Sequence, residues 1–179
     1  PMVMLLGPLP STSEFRLAVE FTSSLHQSTE IAVSYLGKSP LLKLFEDTVQ
    51  GLKDLIIKGG RFQIEHKFFI NREGQHAPKG LYMAPHFSFS TIKITNKYYN
   101  RLDTYYKVSM YNLNILAGWQ FIIGKSFVID VFSGLGYKWL ELGESDPLNV
   151  VPPLSKKDLP PIYSFPIKIT LGFNMGIAF

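Results

Sequence analysis

Two sets of residues in this chain have the types and spacing for chemistry. The first is the run His86-Phe87-Ser88. Residues two apart on a strand project from the same face, so an imidazole and a hydroxyl stand side by side. A base next to a hydroxyl is the beginning of a nucleophilic pair, which needs a third group to orient the base. No acidic residue is placed by the sequence to do so. The second set is ionic: Arg16, Glu20, Glu30, Arg61, Glu65, Lys67, Asp130 and Lys168. Charges on one shared face, away from water, must pair with one another. They are expected to form a network that fills an interior. The other histidines, His26, His66 and His76, have no metal-ligand spacing. With no cysteine in the chain, disulfides, thiolate nucleophiles and cysteine metal sites are excluded. No cofactor and no metal are expected.

The elements that carry these residues alternate with period two, the mark of half-buried strands. Strands are expected at 2–9, 14–23, 28–37, 60–71, 79–95, 105–123, 126–143 and 163–179. In the last, Tyr163, Phe165, Ile167, Ile169, Leu171, Phe173, Met175, Ile177 and Phe179 share one face. Ser164, Pro166, Lys168, Thr170, Gly172, Asn174, Gly176 and Ala178 share the other. The ionic residues always fall with the small ones, as do Ala18, Ala32, Ala84, Gly118, Gly134 and Gly136. His86 and Ser88 share that face too, whereas Phe87 and Phe89 lie opposite. His66 interrupts the apolar face of its strand.

Connections alternate in length. Short turns follow the second, fourth and sixth strands, the last at Gly124-Lys125, and longer segments at 38–59, 96–104 and 144–160 follow the third, fifth and seventh. One segment reads as helix. Ser39 is a candidate cap, Pro40 suits the first turn and Gly59 the stop. Within 40–57, Leu41, Leu44, Phe45, Val49, Leu52 and Ile56 recur near helical spacing. An amphipathic helix is expected there; it could lie in a membrane interface, but its acidic Glu46, Asp47 and Asp54 favour capping the structure or docking a partner.

The 179 residues suit one domain. Aromatic residues reach 14%, and charged residues are 18%, below the ~25% typical of soluble domains. The net charge of +4 is scattered, so no nucleic-acid-binding stripe is present. No apolar run approaches the ~20 residues of a membrane helix, and no stretch has the pattern of a signal peptide. Strands can still cross a bilayer if they close into a barrel, apolar outside and polar within. A soluble sandwich or lipocalin-like barrel would bury the apolar face instead. The even strand count, the alternating loop lengths and aromatic residues near strand ends favour the membrane form. Those aromatics are Tyr98, Tyr99, Tyr105, Tyr106, Tyr137, Trp139 and Tyr163 at one end, and Trp119, Phe121, Phe127 and Phe179 at the other. The expected fold is all-β: an eight-stranded antiparallel up-and-down transmembrane β-barrel with one amphipathic helix between strands three and four.

A final strand of alternating apolar residues that includes Phe173 and Ile177 and closes on Phe179 resembles the insertion signal of bacterial outer-membrane proteins. That resemblance implies handling by the barrel-assembly machinery. The stretches APKGLYMAPHFSFS, YNLNILAGWQFIIGKSFVIDVFSGLGY and IKITLGFNMGIAF resemble a family of small outer-membrane barrels of Bacteroidetes-type bacteria with no assigned function. The resemblance covers most of residues 60–179. It implies an integral outer-membrane location and contact with outer-membrane lipid. The plugged lumen, the absent catalytic constellation and a helix with no clear barrel duty point to a place among other outer-membrane proteins in a stable complex. The His86–Ser88 pair is similar to the His-x-Ser pair of outer-membrane lipid A deacylases, whose pair faces lipid. Here it faces inward. The expected role is a non-enzymatic structural or accessory subunit with an ion-plugged lumen; a lipid-modifying enzyme and a narrow pore are the alternatives.

Overall fold

The computed structural model describes residues 2–4, 12–38, 55–70, 77–96, 105–124, 126–145 and 166–178. All regular structure among them is β. The strands are β1 (Met2–Met4), β2 (Thr12–Ser24), β3 (Gln27–Lys38), β4 (Leu55–Ile70), β5 (Gly80–Asn96), β6 (Tyr105–Ile123), β7 (Phe127–Ser145) and β8 (Ile167–Ile177). Seven of them, β2 to β8, run 11 to 19 residues each. They form one antiparallel sheet in which each strand pairs with the next, and β1 adds to the outer edge of β2.

The sheet is strongly curled. In a flat sheet β2 and β6 would lie about 19 Å apart, at ~4.8 Å per strand. Instead Gln120 Nε2 of β6 donates to Glu20 Oε2 of β2 at 2.9 Å. Lys67 of β4 likewise reaches Asp130 of β7 at 3.0 Å. β1 also comes within 8 Å of β8 between Cα atoms.

Along most of each strand the concave face is polar or small and the convex face apolar, as the alternation predicts. Leu113, Ile115, Trp119 and Phe121 of β6 are exposed while Asn112, Asn114, Leu116, Gly118 and Gln120 between them are buried. Tight fitting inside depends on glycine. Gly118 lies directly across from Tyr82 and Gly172 across from Phe132. A Cβ at either glycine would come within 2.5 Å of the opposing ring. The same pairing sets Gly134 beside Leu116 and Gly136 beside Asn114. Small residues on the inner face therefore receive large inner side chains from the neighbouring strand rather than leaving open space.

The concave face is not uniformly ionic and small, which corrects the expectation. At the end reached by the long connections it turns apolar, with Leu36, Ile57, Ile92, Val108, Met110 and Leu140 forming one buried cluster. A second apolar cluster, Phe69, Tyr82, Ala84, Leu116 and Phe132, lies toward the short turns. The convex face changes in the opposite sense. Beyond Phe89, Tyr111 and Trp139 come Gly60, Thr91 and the buried Ser109, and then Lys58, Lys93 and Lys107, with Glu141 on β7; these four charged residues are all exposed. The sheet thus reverses its amphipathicity along its own strands.

Strand limits differ from expectation mainly at β4. It begins at Leu55, not at residue 60, and Ile56 and Ile57 pair with Thr95 and Ile94. Ile56 is therefore a strand residue and not part of a docking helix. The apolar run Leu55-Ile56-Ile57 suits a strand because Ile57 enters the buried cluster, and β-branched residues favour that geometry. The remaining expected helix positions, Leu41, Leu44, Phe45, Val49 and Leu52, lie outside the described residues, as do Tyr98, Tyr99, Tyr163 and Phe179. The β6–β7 turn is Gly124 to Ser126, entered by Gly124 at a φ of +65°, which glycine adopts without a Cβ clash.

Candidate functional site

The inner ionic residues gather into two groups, each fixed by strand register. The first lies toward the short turns. Cross-strand partners Glu20 and Glu30 bring two carboxylates side by side from β2 and β3, and Glu30 also faces Glu65 of β4. Like charges in register repel, and Lys67, two residues beyond Glu65, resolves this. Its Nζ lies 3.3 Å from Glu20, 3.2 Å from Glu30, 3.0 Å from Asp130 and 3.0 Å from Gln120 Oε1. The lysine is fully buried.

Further donors complete these carboxylates. Arg16 pairs with Glu30, and Ser28 donates to Glu20. Tyr82 donates to Asp130 Oδ1 at 2.8 Å, and Asn174 Nδ2 lies 3.4 Å from Asp130 Oδ2. Lys67 Nζ also stands 5.0 Å from the centre of the Tyr82 ring. An unpaired buried charge costs several kcal/mol, so this degree of mutual satisfaction is what permits a charged interior at all. Glu65 is the least satisfied member, with no hydrogen-bond partner for Oε1 among the described residues.

The second group lies further toward the long connections. Arg61 Nη1 donates to Glu14 Oε2 at 2.8 Å, while Ser34 and Gln63 donate to Glu14 Oε1 at 2.6 and 3.2 Å. Ser88 Oγ accepts from Arg61 Nη2 at 3.2 Å and from Asn112 Nδ2 at 3.1 Å. His86 Nδ1 lies 2.9 Å from Asn114 Nδ2. His86 and Ser88 do share the concave face and both are buried. Each has its described partner on a neighbouring strand rather than in the other. Lys168 faces the same region, within electrostatic range of Arg61 and Glu14.

Six of the eight expected ionic residues, Arg16, Glu20, Glu30, Lys67, Asp130 and Arg61, enter described hydrogen-bonded pairs. Glu65 and Lys168 are adjacent to these pairs without joining them. Glu14 was missed although it anchors the second group. Its signal was present: it stands two residues before Arg16 and so shares its face. The contributions of Gln120, Tyr82 and Asn174 were not legible, because only register brings them to Lys67 and Asp130.

A cavity of about 540 Å³ adjoins the first group, bounded by Glu20, Glu30, Gln120, Asp130 and Asn174 on its polar side. Its apolar rim includes Val19, Met175 and Ile177 from the facing parts of β2 and β8. No cluster of metal-ligating residues occurs among the described residues.

On the convex face, His66 does not stand unpaired. Its Nδ1 lies 2.8 Å from Thr29 Oγ1, and its ring meets Phe68 edge-on at 4.7 Å. Aromatic pairs occur toward both ends of that face: Trp119 with Phe121 at 5.9 Å, Tyr137 with Trp139 at 4.7 Å, and Phe89 with Tyr111 at 4.9 Å.

Comparison with known protein families, with curated proteins and with solved structures finds no match to this chain. The functional reading rests on the geometry.

Proposed function

We propose that this chain is a transmembrane β-barrel of a bacterial outer membrane, closed by β1 between β2 and β8 as an eighth strand. It acts there as a non-enzymatic structural or accessory subunit, its lumen plugged by paired ions. The observation that carries this reading is the reversal of amphipathicity along the strands. An apolar convex face over a polar concave one requires an apolar medium outside. A charged convex face over an apolar concave one requires water outside. One continuous sheet with both belongs at a boundary between the two media.

Magnitudes support the same reading. From Tyr111 to Phe121 the convex face of β6 spans ten residue steps. At ~3.3 Å per step and the ~45° tilt of membrane strands, that is about 23 Å of height, close to the ~25 Å apolar band of such barrels. In water, the six exposed apolar residues of β8, at 46 to 72% exposure, would forgo burial worth on the order of 5–10 kcal/mol. That is comparable to a whole domain's stability.

The ring of carboxylates around Lys67 supports a plug rather than a conduit. The partners of Ser88 and His86 support a structural role for both, away from any lipid substrate. Phe173 and Ile177 stand exposed on β8, as an insertion signal read by the barrel-assembly machinery requires.

Flotation with lipid vesicles and heat-modifiable migration on gels test the barrel. The expected result is co-flotation and a compact band that shifts on boiling; a chain left at the bottom of the gradient sinks the proposal. Planar-bilayer recording is expected to give no discrete conductance. Ser88→Ala is expected to leave lipid A unchanged by mass spectrometry. Purification of the tagged protein from native membranes, with and without residues 40–57, tests the accessory role through a stoichiometric partner.

A further inference from the structure

Lys58, Lys93 and Lys107 lie on β4, β5 and β6 and are direct cross-strand partners, Lys58 opposite Lys93 and Lys93 opposite Lys107. All three project from the convex face and are exposed. Register therefore fixes three like charges in a row about 10 Å long, at ~5 Å per strand. Like charges directly opposite destabilise a sheet, and nothing among the described residues neutralises them. Lys93 Nζ rests 4.4 Å over the Tyr105 ring. None of the three forms an ion pair with a described residue, and Glu141, the exposed acid on β7, sits opposite Ser109 instead. The row lies four residues beyond Phe89 and Tyr111, past Gly60, Thr91 and Ser109, where the convex face passes from apolar through small to charged.

We propose that this lysine row is a binding site for the phosphate groups of a membrane lipid, specifically one whose head carries two phosphates. It rests on the membrane reading above. Aromatic residues mark the interface between hydrocarbon and headgroups; Lys93 and Lys107 stand four residues beyond Phe89 and Tyr111, about 9 Å higher at ~3.3 Å per residue and ~45° tilt, which is headgroup height. Lysine is a point-charge phosphate binder with rotatable donors. Three in a row spread over about 10 Å match two phosphates better than one. Past the small residues Gly60, Thr91 and Ser109, the apolar convex face begins at Phe89 and continues through Phe87 and Leu113, and it gives the acyl chains of the same molecule a surface to lie on. A free anion would gain nothing from that surface.

The test uses purified protein in uncharged detergent micelles, with diphosphoryl lipid A and cardiolipin as probes and native mass spectrometry to count bound lipid. Wild type is expected to retain both probes over phosphatidylcholine. The triple variant Lys58→Gln/Lys93→Gln/Lys107→Gln is expected to bind them about tenfold more weakly. Lys79→Gln, an exposed lysine near the short turns, serves as control and is expected to change nothing. Without lipid, Lys93→Gln is expected to raise the unfolding temperature by relieving repulsion, and diphosphoryl lipid is expected to abolish that gain.

Equal retention by wild type and triple variant overturns the site. So does an equal loss with Lys79→Gln, or competition by inorganic pyrophosphate as strong as by the lipid, which would assign the row to a free anion. Vesicle flotation of the same samples separates the two readings. Protein that fails to float removes the membrane reading and this site together; protein that floats without lipid preference removes the site alone.

Discussion

Lys67 concentrates more of the interior's energetics than any other single side chain described. It faces three carboxylates and an amide oxygen from four strands, so removing its charge leaves Glu20 and Asp130 with no cationic partner among the described residues. Lys67→Met is expected to destabilise the protein by about 3–5 kcal/mol, the cost of breaking a buried pair from one side. Chemical unfolding in micelles followed by tryptophan fluorescence measures this, and a loss below about 1 kcal/mol would mean the plug is not a network. Tyr82→Phe removes only the hydrogen bond to Asp130 while keeping the ring over Gly118. It is expected to cost about 1.5–3 kcal/mol, the range for a hydrogen bond to a charged group. His66, the residue that broke the apolar pattern in sequence, is explained at this scale by its hydrogen-bond partner Thr29, its Cα partner across β3.

At the level of elements, strand pairing converts small residues into sockets. Gly118 receives Tyr82 and Gly172 receives Phe132 because the register puts each pair directly opposite. Gly118→Val is expected to cost about 1–3 kcal/mol through overpacking, or to prevent refolding. Gly176, with nothing within 4 Å of an added Cβ, provides the contrast. Gly176→Ala is expected not to lower the unfolding midpoint, because restricting the unfolded chain favours the folded state where the new Cβ has room; equal losses at both glycines would show that socket fit does not set the effect. The start of β4 belongs to this scale as well. Ile56 matched a helical spacing carried over from the preceding residues, yet pairing with β5 and entry of Ile57 into the apolar cluster make Leu55 to Ile57 strand. Local periodicity could not weigh those distant contacts.

For the molecule as a whole, the decisive issue is which medium the convex face meets. Ile115 lies between Tyr111 and Trp119 and is 64% exposed. In a bilayer, Ile115→Arg near the midplane is expected to destabilise the barrel by about 2–4 kcal/mol, whereas charge changes near the interface cost about 0–1. In an aqueous fold the same exposed substitution is expected within about ±0.5 kcal/mol. Refolding equilibria in lipid vesicles distinguish the two, and a neutral Ile115→Arg would count against membrane residence. The opposite test lies beyond the aromatic residues. Leu140→Asp enters the buried apolar cluster at the long-connection end and is expected to be strongly destabilising. A small effect there would argue against a packed layer over the ionic interior.

The sequence by itself determined the all-β class of the fold, the places of the strands apart from the start of β4, and, within them, the face on which alternating side chains lie. These follow from a period of two, which is a local property of the extended chain and needs no knowledge of neighbours. It also identified most of the inner ionic residues, since charge against an apolar face stands out at every second position. Only the tertiary structure decided which of them meet. Lys67 reaches Asp130 across the curl, and Glu14 takes Arg61 from a strand two places away, because register and curvature set distances that no local pattern encodes. The row of Lys58, Lys93 and Lys107 has the same origin: three unremarkable lysines become one feature when pairing aligns them. The reversal of faces was written in the alternation throughout, but reading it required knowing where along the common axis each strand lies.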